Sequence, residues 1–146
     1  MSDKIFITGA TGFIGSHLAE LCVEKGYEVV AFDRYNPNNS WGWLEGSKYK
    51  KDIKIILGDV RDYDSVFKSM KGSNVVFHLA AYAAEGLSPF IRRFNYENNL
   101  IGSINLINLS IKHSVERFVF ASSIAVYGSN QLPMKESLMP RPDGHT

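Results

Sequence analysis

Apolar residues gather in short runs, and the stretches between several of them carry helical spacing. Lys4-Ile5-Phe6-Ile7-Thr8 reads as a first strand. Phe13 to Lys25 reads as a helix, with Leu18, Leu21 and Cys22 forming part of an inward stripe and Gly26 closing it. Glu28-Val29-Val30-Ala31-Phe32-Asp33 is a second strand and Ile53-Lys54-Ile55-Ile56-Leu57 a third. A short helix, about Tyr63 to Met70, ends near Gly72, and Asn74 to Leu79 is a fourth strand. Ser88-Pro89 starts a long helix to about His113, with proline at the first position, where its missing donor costs nothing. Arg117 to Ala121 is the fifth strand. Between Tyr35 and Asp52 lies a polar loop holding Trp41 and Trp43, which either stack on a ligand or anchor the loop. The stretch from Tyr127 to Thr146 is proline-rich and polar and yields no element.

Strands alternating with helices predict the α/β class: a doubly wound parallel sheet with right-handed crossovers. The strands are near-continuous apolar runs, as expected when both faces are covered. Ligands of such sheets sit beyond the carboxyl ends of the strands. The candidates are therefore Gly9 to Gly15, Asp33, Asp59, Ala80-Ala81 and Ser122-Ser123.

The first strand-to-helix turn carries the most chemistry. Gly9, Gly12 and Gly15 are spaced by three, with Phe13 and Ile14 between the last two. Gly9 allows the tight turn, Gly12 lets backbone amides approach a pyrophosphate, and Gly15 brings the helix close to the strand. The helix N-terminus then holds the anion with its unpaired N–H groups and its dipole. Asp33 ends the second strand, where a carboxylate meets the ribose hydroxyls of a dinucleotide. A carboxylate there repels a 2′-phosphate and favours NAD over NADP, although the neighbouring Arg34 could accept a phosphate.

Composition narrows the picture only mildly. The 146 residues suffice for one domain with a core. A hydrophobic content of 45 %, a charged content of 21 % and a net charge of +1 are those of an ordinary globular chain and give no argument for nucleic acid or an acidic membrane. The single cysteine, Cys22, excludes an internal disulfide framework and fits a reducing compartment. No apolar run spans a bilayer, and Met1-Ser2-Asp3-Lys4 leads into the first strand without a signal peptide, so a cytoplasmic location is expected.

Several segments together resemble the extended short-chain dehydrogenase/reductase family, particularly its NAD-dependent nucleotide-sugar epimerases and dehydratases, with the UDP-hexose 4-epimerase branch nearest. They are Thr8-Gly9-Ala10-Thr11-Gly12-Phe13-Ile14-Gly15, Gly58-Asp59-Val60-Arg61-Asp62, His78-Leu79-Ala80-Ala81, Asn98-Asn99-Leu100-Ile101-Gly102-Ser103 and Ser122-Ser123-Ile124-Ala125-Val126-Tyr127-Gly128. They occur in the family's order and cover nearly the whole chain.

The resemblance implies a Rossmann-type cofactor domain over residues 1–146. It implies adenine contacts for Asp59 and Val60, a nicotinamide wall of Leu79, Ala80 and Ala81, and places for Asn99 and Ser122 near the cofactor. Asn99 also reads as a satisfied core asparagine on the face of Gly102, Leu106 and Leu109. Ser123 matches the catalytic serine that hydrogen-bonds the reacting sugar hydroxyl, although Ser122 and Ser123 also read as strand-end caps. Tyr127 matches a structural segment, not the catalytic tyrosine.

Two departures bear on substrate. Ile124 and Ala125 occupy positions where 4,6-dehydratases carry a carboxylate, and neither can move a proton, which points to an epimerase. Against this, Trp41-Gly42-Trp43-Leu44 resembles a loop of some dehydratases. Ala83 stands where the epimerases often have lysine, with Glu85 nearby to face the sugar. The family's Tyr-x-x-x-Lys pair falls beyond Thr146, so the 146 residues are expected to be an N-terminal portion, inactive alone and lacking the substrate domain. The remaining expectations are a UDP-hexose substrate and a homodimer through the apolar residues Ile91, Phe94, Ile104, Ile107 and Ile111 of the long helix. The rival readings are a nucleotide-sugar 4,6-dehydratase, a sugar dehydrogenase and a non-catalytic NAD-binding module.

Overall fold

A computed structural model describes residues 2–34, 38–83, 86–129 and 131–142. Five parallel strands, β1 (Lys4–Thr8), β2 (Glu28–Asp33), β3 (Ile53–Leu57), β4 (Val75–His78) and β5 (Arg117–Phe120), form one sheet in the order β3-β2-β1-β4-β5. The chain winds outward from β1 to β3, then crosses back to place β4 on the other side of β1. That reversal opens a crevice between the carboxyl ends of β1 and β4, where loops leave in opposite directions. The register aligns these ends: Thr8 pairs with Phe32 on one side and with His78 on the other, and His78 pairs with Phe120.

Alternation along each strand sends side chains into two cores. Ile5, Ile7, Val29 and Ala31 face one side, where Ala19 and Cys22 of helix α1 (Phe13–Glu24) cover them. Phe6, Val30, Phe32 and Val76 face the other, under Val66 and Met70 of α2 (Tyr63–Met70) and Leu106 and Leu109 of α4 (Gly102–Lys112). The expected doubly wound sheet is thus present. The buried stripe of α1 is Gly15, Ser16, Ala19 and Cys22, whereas Leu21 faces out. Asp62 caps α2, accepting the Ser65 N–H at 3.0 Å.

The long helix differs from expectation at its start. Phe90 and Ile91 N–H groups both bond to the Leu87 carbonyl, which closes one isolated turn around Pro89. Ile91 then leaves helical geometry at φ −121°, ψ 38°, and α3 begins at Arg92 (Arg92–Asn95). Pro89 therefore belongs to the preceding turn. Between α3 and α4 a π-helical turn, Tyr96–Ile101, inserts an extra residue and shifts the buried face. Asn98 is consequently buried while Leu100, Ile101, Ile104 and Ile107 remain exposed.

The loop after β2 resolves the tryptophan pair. Trp41 packs against the first core beside the fully buried Leu44, with the Lys50 ammonium 4.4 Å from its ring centre. Trp43 is 63 % exposed and sets its edge against Phe13, 5.3 Å between centroids. Among the described residues no helix is long and apolar enough to cross a membrane.

Candidate functional site

The crevice at the β1–β4 switch is a cleft of about 310 Å3. Gly9, Thr11 and Gly12 form one wall, Asp33 and Arg34 stand at the end of β2, and Gly58, Asp59 and Val60 at the end of β3. Leu79, Ala80, Ala81 and Tyr82 after β4, with Asn98 of the π turn, close the other side. Residues as distant in sequence as Gly9 and Asn98 meet because every strand ends on the same edge.

The glycine turn is tight for two distinct reasons. Gly9 has φ +70°, in the left-handed region, and a β-carbon on it would lie 2.8 Å from Ala80 N. Gly15 needs closeness instead: a β-carbon there would overlap the Gly9 carbonyl oxygen. Gly12 is the N-cap of α1 and supplies no side-chain cap, and no acid stands in the first turn. The helix therefore presents uncapped N–H groups and a partial positive charge toward the turn. Phe13 and Ile14 can serve an anion only through these backbone amides, since their side chains point out, 61 % and 71 % exposed.

Asp33 ties the turn to β2. Its Oδ2 accepts both the Thr11 N–H at 2.8 Å and the Thr11 Oγ1–H at 2.7 Å. Its Oδ1 accepts the Arg34 N–H at 2.7 Å. Oδ1 keeps a lone pair for a ligand hydroxyl, whereas the two Thr11 donors occupy Oδ2. Asp59 is held by a fork: Arg61 donates from Nε at 2.9 Å and from a terminal nitrogen at 2.6 Å, and its backbone N–H adds a third bond at 2.8 Å. Hydrogen bonding to the Arg61 side chain holds the Asp59 carboxyl below its ordinary range.

Behind the cleft wall lies a buried polar group to which the sequence assigns no role. His78, 2 % exposed, places Nδ1 2.8 Å from Thr8 Oγ1 and Nε2 2.8 Å from Ser103 Oγ. Thr8 Oγ1 also accepts the Ala80 N–H at 3.2 Å, and Ser103 Oγ donates to the Asn99 carbonyl at 2.6 Å. The Asn99 side chain in turn holds Tyr82, accepting its N–H at 2.7 Å and donating to its carbonyl at 3.1 Å. Burial pushes the His78 pKa from 6.5 down to about 4.

The placement of the expected site residues is therefore mixed. Gly9, Gly12, Asp33, Arg34, Asp59, Val60, Leu79, Ala80 and Ala81 line the cleft. Gly15 acts from beneath, through its approach to Gly9. Asn99 is not on the wall; the π turn puts Asn98 there and leaves Asn99 bracing Tyr82. Ser122 and Ser123 leave β5 beside the end of β4, where the Ala121 N–H bonds to the His78 carbonyl at 3.1 Å, but they do not line the cleft. Ser123 Oγ accepts the Ala125 N–H at 3.2 Å, the strand-end cap that was one of its two readings. Glu85 lies outside the described residues. Thr11, within the Gly9 to Gly15 candidates, lines the cleft, but Tyr82 and Asn98 were missed; Tyr82 carries the signal of an aromatic residue within a few positions of a strand's carboxyl end, whereas Asn98 sits in the π turn, far in sequence from any strand end.

The arrangement suits a ligand with a central anion, flanked by a diol at Asp33 and by a flat group against Ala80 and Ala81. Among the described residues no cluster of His, Cys, Asp or Glu could hold a metal ion.

A sequence profile described as the NAD dependent epimerase/dehydratase family matches residues 5–146. A UDP-glucose 4-epimerase of Pisum sativum is 35 % identical over 135 residues, which is 87 % of this chain and 38 % of that enzyme. Among solved structures, MoeE5 in complex with UDP-glucuronic acid and NAD is 33 % identical with a TM-score of 0.79, covering 95 % of this chain and 43 % of that one. The Thermus thermophilus UDP-glucose 4-epimerase complex with NAD is 30 % identical with a TM-score of 0.78, covering 95 % and 44 %. The chain thus spans less than half the length of each of these three proteins.

Proposed function

The chain belongs to the NAD-dependent epimerase/dehydratase family, and from that premise we propose that residues 1–146 are the cofactor-binding portion of a nucleotide-sugar 4-epimerase acting on a UDP-hexose. The observation that carries the reading is the Asp33 carboxylate, bonded to Thr11 of the glycine turn and facing the same cleft as Gly9 and Gly12. A diol-binding acid and an uncapped helix N-terminus around one cleft match the two polar halves of NAD. NAD, when bound, supplies reversible acceptance and return of a hydride at the sugar C4, by way of a 4-keto sugar.

The chain's own groups have separable tasks. The amides of Phe13 and Ile14 at the start of α1 hold the pyrophosphate, Asp33 the adenosine ribose, and Asp59 with Val60 the adenine. Leu79, Ala80 and Ala81 form a small-residue wall that excludes water from the nicotinamide face. Ser123, at the end of β5, orients the reacting sugar hydroxyl by donating its Oγ–H while its lone pair keeps the Ala125 N–H. Ile124 and Ala125 carry no group able to move a proton, which favours epimerisation over water elimination. The exposed apolar residues Ile104, Ile107 and Ile111 of α4 support a homodimer through that helix.

Two experiments test the reading. Calorimetric titration of the chain should give tighter binding of NAD than of NADP; a preference for NADP, or no binding of either, would overturn the cofactor assignment. Product analysis of the protein that carries this chain, across UDP-, GDP- and dTDP-hexoses, should find C4 inversion of a UDP-hexose. A 6-deoxy-4-keto product would instead establish a dehydratase, as the Trp41-Gly42-Trp43-Leu44 loop suggests.

A further inference from the structure

Among the described residues, His78 is the one strongly buried titratable group close to the cleft that binds nothing in it. Its partners make a closed circuit with a definite direction. The Asn99 carbonyl can only accept, so Ser103 gives it its single hydroxyl proton. Ser103 Oγ must then accept from His78, which places a proton on Nε2. At the other side, Thr8 Oγ1 already accepts the Ala80 N–H, and its own proton satisfies the bare Nδ1 of His78. Only the neutral Nε2–H form fills every one of these contacts. The circuit begins at the Ala80 N–H and ends at Asn99, whose side chain grips both backbone polar groups of Tyr82.

We propose that His78 is a positioning residue for the dinucleotide: as the Nε2–H tautomer it fixes the backbone of Ala80 to Tyr82, the wall against which the nicotinamide half rests. Ala80 is pinned from the β1 side through Thr8, and Tyr82 from the π turn through Asn99. The ring bridges the two anchors. Phenylalanine would fill the space between Phe118 and Phe120, whose rings lie 6.2 and 5.5 Å from the imidazole, without joining the anchors. The use of a histidine inside an apolar shell is thereby explained, since a buried polar ring is tolerated only when both nitrogens are satisfied. This role rests on the cofactor reading for its ligand, but the circuit can be tested without one.

The direct test is the protonation pattern of the His78 ring. In 15N-labelled chain at pH 7.5 without NAD, nitrogen–proton correlation spectra should show a protonated Nε2 and a bare Nδ1; a protonated Nδ1 overturns the circuit. Hydrogen exchange should then be faster at the Ala80 and Tyr82 amides in His78→Phe than in the parent, with the β2 amides unchanged; equal protection at Ala80 and Tyr82 counts against the proposal whether or not NAD binds. In NAD titrations, His78→Phe should bind about tenfold more weakly, the equivalent of one neutral hydrogen bond. His78→Asn, whose carbonyl can replace Nδ1 as acceptor for Thr8, should recover most of that loss. Equal affinity in all three, or equal impairment of both variants, overturns the positioning role. If the parent binds no NAD, the cofactor reading fails and the exchange comparison still decides on the circuit. Should His78→Phe not fold, Ser103→Ala breaks the circuit at its far end without disturbing the ring's packing and is read in the same way.

Discussion

Thr11 and Asp33 are joined twice through one oxygen: the Thr11 N–H and Oγ1–H both donate to Asp33 Oδ2, at 2.8 and 2.7 Å. The carboxylate that lines the cleft therefore also sets the shape of the glycine turn. Asp33→Ala should weaken NAD binding by about 10- to 100-fold, the loss expected for hydrogen bonds to a charged group worth about 1.5–3 kcal/mol. Asp33→Asn keeps an acceptor for Thr11 but removes the charge. It should narrow the preference for NAD over NADP, measured as the ratio of the two dissociation constants.

Gly12 and Gly15 should separate binding from folding. Gly15→Ala forces a methyl onto the Gly9 carbonyl oxygen, a backbone atom that cannot step aside. A thermal melt should show a loss of several kcal/mol, about 3 or more, or no cooperative transition. At Gly12 the nearest atom lies at 3.3 Å and φ is −74°, so Gly12→Ala should cost about 1 kcal/mol or less while hindering approach of a phosphate. Equal effects of the two substitutions on the melt would contradict this division.

Acid should destabilise the fold in a window set by His78. Unfolded, the ring takes up a proton near 6.5; folded, only near 4. Between those values the unfolded chain binds the extra proton, so stability is full above pH 6.5 and falls by about 3 kcal/mol as the pH drops to 4. Asp59 adds a second loss at lower pH, because its depressed carboxyl contributes stability only until it is protonated. Urea midpoints at pH 7.5, 6 and 4.5 should show the first decline in the parent and a flatter profile in His78→Gln.

The two tryptophans should respond unequally. Trp41 packs on the core and carries Lys50, whereas Trp43 is largely in solvent. Trp41→Ala should cost about 2 kcal/mol and Trp43→Ala about 0.5 or less, read from denaturant midpoints. The reverse order would mean that the loop is held through Phe13 rather than through the core.

Periodicity disclosed the sheet because each strand is a short apolar run and the first two predicted helices end at a recognisable punctuation mark, Gly26 or Gly72. It misplaced the start of the long helix because Pro89 suits both a helix N-terminus and the isolated turn it occupies, and local spacing cannot separate them. The π turn was equally invisible: one inserted residue exchanges Asn98 for Asn99 on the buried face without altering composition. Gly9, Asp33 and Asp59 were legible as cleft residues since strand ends fix their location. The His78 circuit was not, because Thr8 and His78 are 70 residues apart and each looks like an unremarkable polar residue at a strand end.

Cys22, on the buried face of α1, packs in one core with Ile5, Ile7 and Val29, and burial raises its thiol pKa. A thiol reagent attacks only the thiolate, so this sulfur reacts when α1 lifts from the sheet and scarcely otherwise. The chain thus contains its own stopwatch. As its only cysteine, Cys22 yields a single labelling rate that times the lifting of α1 from the sheet. A ligand seated on the glycine turn, at the start of α1, should slow that clock in proportion to its occupancy, with no cysteine having to be introduced.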